Sequence, residues 1–304
     1  MKQEDVWKVY DGNYAKAYNE RYLLNSFSKI SVDTEMGVLK KIIGKETRWL
    51  DIGCGTGYFL SQFPGIERAG LDMSPEMIKV ASAANPDALF FQQGDFRKKI
   101  TEWENAWSLI SCMWCAYSYV DSMKEVEQVI SNMIDWTKQG GTVFIPVVDI
   151  EDVRPNLLVP YEENVGIFGG KIYLTSATWT WIEEEAEKVH THLVAAHVEH
   201  FIKLMQPWFD EIEVVRYPPY MTGWVSRKAV LAKGKRALPD HEHLAIVKWQ
   251  PIPPPEIASD HQSPNDPRNI ISSLSHKQLI GELFGRMKSG RTLSSFRRKI
   301  FAKR

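Results

Sequence analysis

The chain has 304 residues, 44% hydrophobic and 12% aromatic, which is apolar material for a substantial core in one large or two small domains. It shows no apolar stretch behind a basic start and no run of about 18 apolar residues, so neither a secretory signal nor a membrane span is expected, and the expected compartment is the cytoplasm. The formal net charge of −1 hides an asymmetry, because after residue 267 ten Lys and Arg stand against one acid, Glu282, leaving an acidic body with a basic end.

In chain order, residues 4–24 read as a helix in which Val6, Trp7, Tyr10, Tyr14, Ala17, Tyr18, Arg21 and Tyr22 recur at three- and four-residue steps, interrupted by Gly12 and Asn13. The tyrosine stripe fits an amphipathic helix packed on the core, or a lid whose Tyr18 and Tyr22 hydroxyls close over a pocket. A second helix is expected from Asp33, as its cap, to Ile43. The stretch Trp49 to Leu60, WLDIGCGTGYFL, then reads as strand, tight turn and helix, with Gly53, Gly55 and Gly57 at every second position. Glycine suits that turn because a residue without Cβ can take positive φ and lie directly against a ligand at the helix start.

Arg68 to Asp72 is a second short strand that ends in an acid 17 residues after Gly55, where a strand tip would offer a carboxylate to ribose hydroxyls. Ser74 and Pro75 start a helix continuing over Met77 to Ala84. Ala88 to Gln92 reads as a third strand, after which Asp95 can accept from an adenine amino group with Phe96 beside the ring. Trp107 to Tyr119 is an almost continuous apolar run, expected as a central strand buried on both faces with an aromatic end at the pocket rim. Its Cys112 and Cys115 have no second Cys or His pair at zinc-ligand spacing, and no metal is expected. A helix over Lys124 to Trp136 and a strand over Thr142 to Val148 follow the same alternation.

Residues 151–195 break the pattern. Gly166 to Leu174 and Thr175 to Glu183 read as β-ribbons of an inserted flap. Helix over Ala196 to Trp208 and strands over Ile212 to Tyr217 and Lys228 to Ala232 complete the sheet within residues 196–234. His190, His192, His197 and His200 cluster here; they read mainly as exposed or core histidines, with His200 the one to test as a base. Six prolines between Pro251 and Pro267 mark residues 235–270 as an extended linker. Residues 271–304 read as a basic amphipathic tail, solvated or folded back on the body, with weak contact to a partner protein or a membrane surface as the other expectation. Residues 1–45 are then lid helices and residues 46–150 the ligand-binding core.

Strand and helix alternate with short links, so the expected fold is α/β, a doubly wound Rossmann-like sheet of seven strands ending in an antiparallel hairpin. Ligands in such sheets sit at the carboxyl ends of the strands, where Asp51, Asp72, Asp95 and Trp114 to Tyr119 fall. A glycine-rich first turn also occurs in dinucleotide-binding folds. Here Tyr58 stands where a third glycine of G-x-G-x-x-G would be, and Asp51, two residues before the first glycine, would repel a pyrophosphate.

With these residues in hand, the chain resembles the class I S-adenosylmethionine-dependent methyltransferases. Asp51 to Gly57 resembles that family's first motif, Leu71 to Met77 its second and Gln93 to Phe96 its third. The resemblance implies that Asp51, Gly53, Cys54 and Gly55 hold the methionine end of the cofactor, Asp72 and Met73 the ribose, and Asp95 with Phe96 the adenine, with Tyr18 and Met113 also at the cofactor. Within the superfamily, YAKAYNERY at Tyr14 to Tyr22 and MWCAYSYV at Met113 to Val120 are similar to segments of enzymes that methylate nucleotide-linked deoxysugars, although Trp114 to Tyr117 depart from that group's small-residue pattern.

The expected activity is in-line methyl transfer to a hydroxyl or amine of a small, sugar-like or glycan-linked acceptor, with Trp114, Tyr117 and Tyr119 at the acceptor and Tyr22 or His200 as catalytic groups. Nucleic acid is not an expected partner. The rival readings are a nicotinamide oxidoreductase and a non-catalytic cofactor-binding module working through its basic tail.

Overall fold

The computed structural model describes residues 10–150, 176–183, 188–219 and 226–255. Its centre is β1 (Arg48–Ile52), in which Trp49, Leu50, Asp51 and Ile52 are all buried because the strand is covered on both faces. β2 (Glu67–Asp72) and β4 (Trp107–Ser111) pair with it in parallel on either side. β3 (Phe90–Gln93) flanks β2, and β5 (Thr137–Val147) flanks β4, again in parallel. Beyond β5 the direction reverses: β9 (Lys228–Lys235) runs antiparallel to both β5 and β8 (Phe209–Arg216).

The order is thus β3-β2-β1-β4-β5-β9-β8, and an eighth strand, β10 (Ile246–Trp249), joins the edge parallel to β8. Seven strands were expected. The eighth is four residues long and mostly exposed, so it carries no apolar alternation; its register comes from the backbone ladder and from Gln250 Nε2 donating to Glu213 Oε1 at 2.5 Å.

Two apolar layers cover the sheet. On one face α5 (Met123–Trp136) and α6 (Val198–Met205) bury Val126, Val129, Ile130, Met133, Phe201 and Ile202. On the other, α2 (Ser26–Ile42) and the single turn α3 (Tyr58–Ser61) bring Val32, Leu39, Phe59 and Leu60 against Trp49 and Phe144. α4 (Pro75–Ala84) begins as expected, with Ser74 Oγ accepting from Met77 N and proline in the first turn.

Three boundaries differ from the sequence reading for local reasons. α2 begins seven residues before Asp33, because the Asn25 side chain caps it by accepting from Ser28 N, and Asp33 instead pairs with Lys29 on the helix surface. Gly12 and Asn13 start a helix rather than interrupt one: Asp11 Oδ1 accepts from Asn13 N and Tyr14 N to cap α1 (Gly12–Tyr18), which runs on into a π-helical turn over Asn19–Leu23. The apolar run from Trp107 leaves the sheet at Ser111, and Met113–Ser118 forms a kink with Trp114 and Cys115 both in the left-handed region, at φ 54° and 59°.

The flap is a separate two-stranded antiparallel sheet in which β6 (Ser176–Glu183) pairs with β7 (Lys188–Ala196). The expected ribbon over Gly166 to Leu174 lies outside the described residues, as do the first nine residues of the lid, the end of the linker and the basic tail. Among the described residues no helix is long and apolar enough to cross a membrane.

Candidate functional site

The turn after β1 holds Gly53 at φ +64° and Gly55 at φ +52°, a conformation L side chains rarely adopt. The two glycines do different things. A Cβ on Gly53 would sit 2.4 Å from the Ala116 Cβ, so its absence lets the kink after β4 close onto the turn. A Cβ on Gly55 would meet nothing within 4 Å, because that residue faces an open cavity it helps to line.

Asp72 at the tip of β2 also lines the cavity, and both its oxygens are held: Gly55 N donates to Oδ2 and Ser74 N to Oδ1, each at 2.8 Å. Burial raises its pKa, and the Ser74 and Gly55 N–H bonds oppose that shift by favouring the charged form. Asp51 is more enclosed. Its Oδ1 accepts from Ser111 Oγ at 2.6 Å and from Met113 N at 3.2 Å, while Ser111 Oγ accepts from Trp49 Nε1. Burial pushes the Asp51 carboxyl up to about 7 against those two bonds. Its geometric effect is to fasten the tip of β1 to the turn leaving β4.

Asp95, one strand further out, is clamped by Arg97. The guanidinium Nε approaches both carboxylate oxygens at 2.9 and 3.1 Å, Nη2 donates to Oδ2 at 2.9 Å, and Nη1 reaches Glu125 at 3.3 Å.

The remaining wall is aromatic. Tyr10, Tyr14, Tyr18 and Tyr22 descend from the lid, with Tyr14 OH donating to Tyr22 OH at 3.0 Å and the Tyr18 and Tyr22 ring centroids 4.9 Å apart. Thr56 Oγ1 donates to Asn19 Oδ1 at 2.5 Å, tying the lid to the glycine turn. Opposite stand Trp114, Tyr119, Trp179, Leu193 and Arg227. Tyr119 OH lies 3.2 Å from His190 Nδ1, and burial pushes the Tyr119 phenol up to about 12, so it is protonated at neutral pH. The cavity encloses about 270 Å³, close to the lower bound of small-molecule sites.

Of the residues singled out in the sequence, Tyr18, Tyr22, Gly53, Gly55, Asp72, Met73, Asp95, Phe96, Met113, Trp114 and Tyr119 are brought together on this wall. The structure does not bring four others to it. Asp51 and Cys54 are buried behind the turn, the Cys54 sulfur packed where a Gly70 Cβ would be. Tyr117 is fully buried in the sheet core, its hydroxyl accepting from Val148 N at 2.9 Å. His200, expected as a base, sits on α6 with Nε2 3.1 Å from Glu127 in a partly exposed pair and does not line the cavity. The histidine that reaches the site, through Tyr119, is His190, one of the four clustered histidines read mainly as exposed or core. Tyr10 and Tyr14 were legible from the stripe, whereas Arg97 and Arg227 carried no pattern.

Set beside known proteins, residues 50–141 match the model of the methyltransferase domain family. Residues 50–141 are a methyltransferase domain. They hold the parallel half of the sheet from β1 to the start of β5 and the three stretches whose sequences resemble the motifs of class I S-adenosylmethionine-dependent methyltransferases.

Among curated proteins the chain is 27% identical over 157 residues to a demethylmenaquinone methyltransferase of Chlorobaculum parvum, covering 47% of this chain and 61% of the relative. It is 25% identical over 156 residues to a dTDP-3-amino-3,6-dideoxy-alpha-D-glucopyranose N,N-dimethyltransferase of Streptomyces fradiae, covering 50% and 58%. The matched region thus spans little more than half the length of these relatives. Among solved structures, a methyltransferase of Thermotoga maritima described as a possible histamine N-methyltransferase matches over 76% of this chain and all of its own, at 17% identity and a TM-score of 0.49.

The cavity suits the cofactor of that superfamily on chemical grounds. Gly55 leaves room beside its backbone, and the nearest acids, Asp72 on the wall and Asp51 behind it, suit a ligand with cationic and hydroxyl groups better than one with phosphates.

Proposed function

We propose that the chain transfers a methyl group from S-adenosylmethionine to a hydroxyl or amine of a small ring-bearing acceptor, sugar-like or aromatic, held under the tyrosine lid. The observation that carries this reading is Asp72 bridged to the Gly55 backbone on the same wall as the lid rings, so that a cofactor cradle and a flat-faced acceptor compartment form one cavity. Aromatic faces suit such an acceptor because they stack on sugar or aromatic rings without demanding a particular set of polar partners.

When bound, S-adenosylmethionine supplies an activated methyl group. In this reading Asp72 takes the ribose hydroxyls, Phe96 with Asp95 flanks the adenine, and Met113 and the Gly53 to Gly55 turn border the methionine end. The chain contributes chiefly by positioning and by excluding water: α1 and its π turn bring Tyr14, Tyr18 and Tyr22 to the cavity wall, with Tyr10 just before them, and Thr56 fixes that lid to the turn. Tyr119, whose phenol is protonated, can take the proton leaving the acceptor as it passes its own proton to His190 Nδ1 3.2 Å away, a relay in which the imidazole is the base and for which general-base catalysis contributes about 10² to 10⁴ in rate. Cytoplasmic location and a docking role for the basic tail belong to the same proposal and rest on composition alone.

The test is calorimetry of the full chain with S-adenosylhomocysteine and with NADH, followed by transfer of labelled methyl to candidate acceptors. Binding of the first alone is expected. Binding of NADH alone would replace this reading with the oxidoreductase.

A further inference from the structure

Tyr10 joins the lid to the proton relay. Its ring centroid lies 5.3 Å from that of Tyr14 and 6.2 Å from that of Tyr18 in the lid, and also 6.2 Å from Tyr119 in the kink and 6.1 Å from His190 on β7. Its backbone carbonyl accepts from Ser74 Oγ at 3.2 Å. Ser74 N in turn donates to Asp72 Oδ1, so a carboxyl that its backbone donors favour in the charged form is held next to the turn that carries Tyr10.

The rings of this cluster cross rather than stack. Tyr10 stands at 68° to Tyr119 and is braced from the lid by Tyr14 at 81°, and Tyr10 and Tyr119 both line the cavity. Crossed rings turn faces in different directions around one corner, whereas a stack offers a single face to a flat ligand. Such a corner suits a compact cation, which is attracted to the negative face of each ring within about 6 Å of its centroid. The wall already shows this contact, since the Arg227 guanidinium carbon lies 5.7 Å from the centroid of the Trp114 ring.

We infer that the corner of Tyr10 and Tyr119 seats a protonated amine, and that the nitrogen of that amine is the methyl acceptor. This rests on the methyltransferase reading and deepens it by choosing amine over hydroxyl. An ammonium must lose a proton before its nitrogen can attack, and the seat adjoins the group that receives it. The N–H bond breaks with its electron pair left on nitrogen, the proton goes to Tyr119 Oη, and the Tyr119 phenol proton passes to His190 Nδ1, 3.2 Å away. A neutral hydroxyl gains no comparable attraction from the crossed ring faces.

Two ring types carry such an amine, arylalkylamines and amino sugars, and the test separates them. The full chain, saturated with S-adenosylhomocysteine, is titrated at about pH 6, where both amines are protonated, by calorimetry and ligand-observed NMR. The pairs are benzylammonium against benzyl alcohol and glucosamine against glucose. The amine that fits is expected to bind about 10-fold or more tighter than its neutral partner, with the strongest saturation transfer at the carbon-bound protons beside nitrogen. Tyr10→Phe should keep that preference and Tyr10→Leu should lose most of it, because the attraction is to the ring and not to the hydroxyl.

The inference is overturned if neither amine is preferred by the unsubstituted chain, or if Tyr10→Phe loses as much as Tyr10→Leu. It is also overturned if the amine preference survives in Tyr10→Leu; a simultaneous loss there of preference for S-adenosylmethionine over S-adenosylhomocysteine would give the corner to the cofactor's sulfonium. Should Tyr10→Leu fail to fold, the preference of the unsubstituted chain and of Tyr10→Phe decides. Failure of the unsubstituted chain to bind S-adenosylhomocysteine is a separate result, against the methyltransferase reading, and the amine preference is then measured without it.

Discussion

The backbone N–H of Gly55 donates to Asp72 Oδ2 at 2.8 Å, so the acid at the tip of β2 is part of the glycine turn as well as of the cavity wall. Its other oxygen accepts from Ser74 N just before α4. Asp72→Ala therefore removes a ligand contact and leaves two backbone donors without their acceptor. The expected result is a loss of about 10- to 100-fold in S-adenosylhomocysteine affinity by calorimetry, and about 1–3 kcal/mol of stability by urea titration. Unchanged affinity in a folded variant would remove Asp72 from the ribose role.

The two glycines of the same turn should respond differently to one methyl group. Gly55→Ala meets no atom within 4 Å, so its cost is backbone strain of about 1–2 kcal/mol together with intrusion into the cradle. Gly53→Ala adds a clash with the Ala116 Cβ, worth about 1–3 kcal/mol more as overpacking. Urea midpoints should rank unsubstituted, Gly55→Ala, Gly53→Ala in falling order. An equal loss at both positions would mean that the kink at Ala116 yields freely.

Glu35 predicts a pH dependence of stability. Its carboxyl is fully buried and raised to about 8, first by burial, with the Arg227 charge and the Tyr217 hydroxyl acting against the shift. Between the ordinary carboxylate value and 8 the unfolded chain has released this proton and the folded chain retains it. Unfolding thus releases a proton, and stability attributable to this group falls as pH rises through that window, then levels off above it. Glu35→Gln keeps an acceptor for the Tyr217 hydroxyl and cannot ionise. Its stability relative to the unsubstituted chain should therefore rise steadily from pH 5 to pH 8 in urea titrations; a difference independent of pH would show that the carboxylate is solvated in the native state.

How far the sequence was readable follows from where the information sits. β1 and its turn were legible because burial on both faces demands an unbroken apolar strand, and because backbone at positive φ demands glycine. The cap at Ser74 was a local signal of the same kind. The break at Ser111 was hidden, since a buried kink and a buried strand are equally apolar and the close approach of Ala116 to Gly53 is a tertiary contact that no local pattern announces. β10 was hidden for the opposite reason, being too short and too exposed to show periodicity. At the site, the tyrosine stripe announced the lid, but His190 on β7 and Arg227 just before β9 arrive from sequence-distant segments, and no spacing rule links them to Tyr119 or Trp114.

The clamp on Asp95 carries the last prediction. Burial pushes its carboxyl up, but the Arg97 bonds outweigh that effect and leave its pKa below the ordinary carboxylate range. A group lowered in the folded state contributes stability above its unfolded pKa, and that contribution disappears as pH falls through the folded value. Arg97→Met should accordingly cost about 1–3 kcal/mol near pH 7 and progressively less below about pH 4, since both side chains are largely shielded from water. The variant also frees Asp95 to turn, so if this carboxylate receives the adenine amino group, S-adenosylhomocysteine affinity should fall as well. A double-mutant cycle with Asp95→Asn separates the two effects: a coupling in stability accompanied by none in affinity would leave Asp95 as a purely structural acid and assign the adenine edge to Phe96 and the backbone beside it.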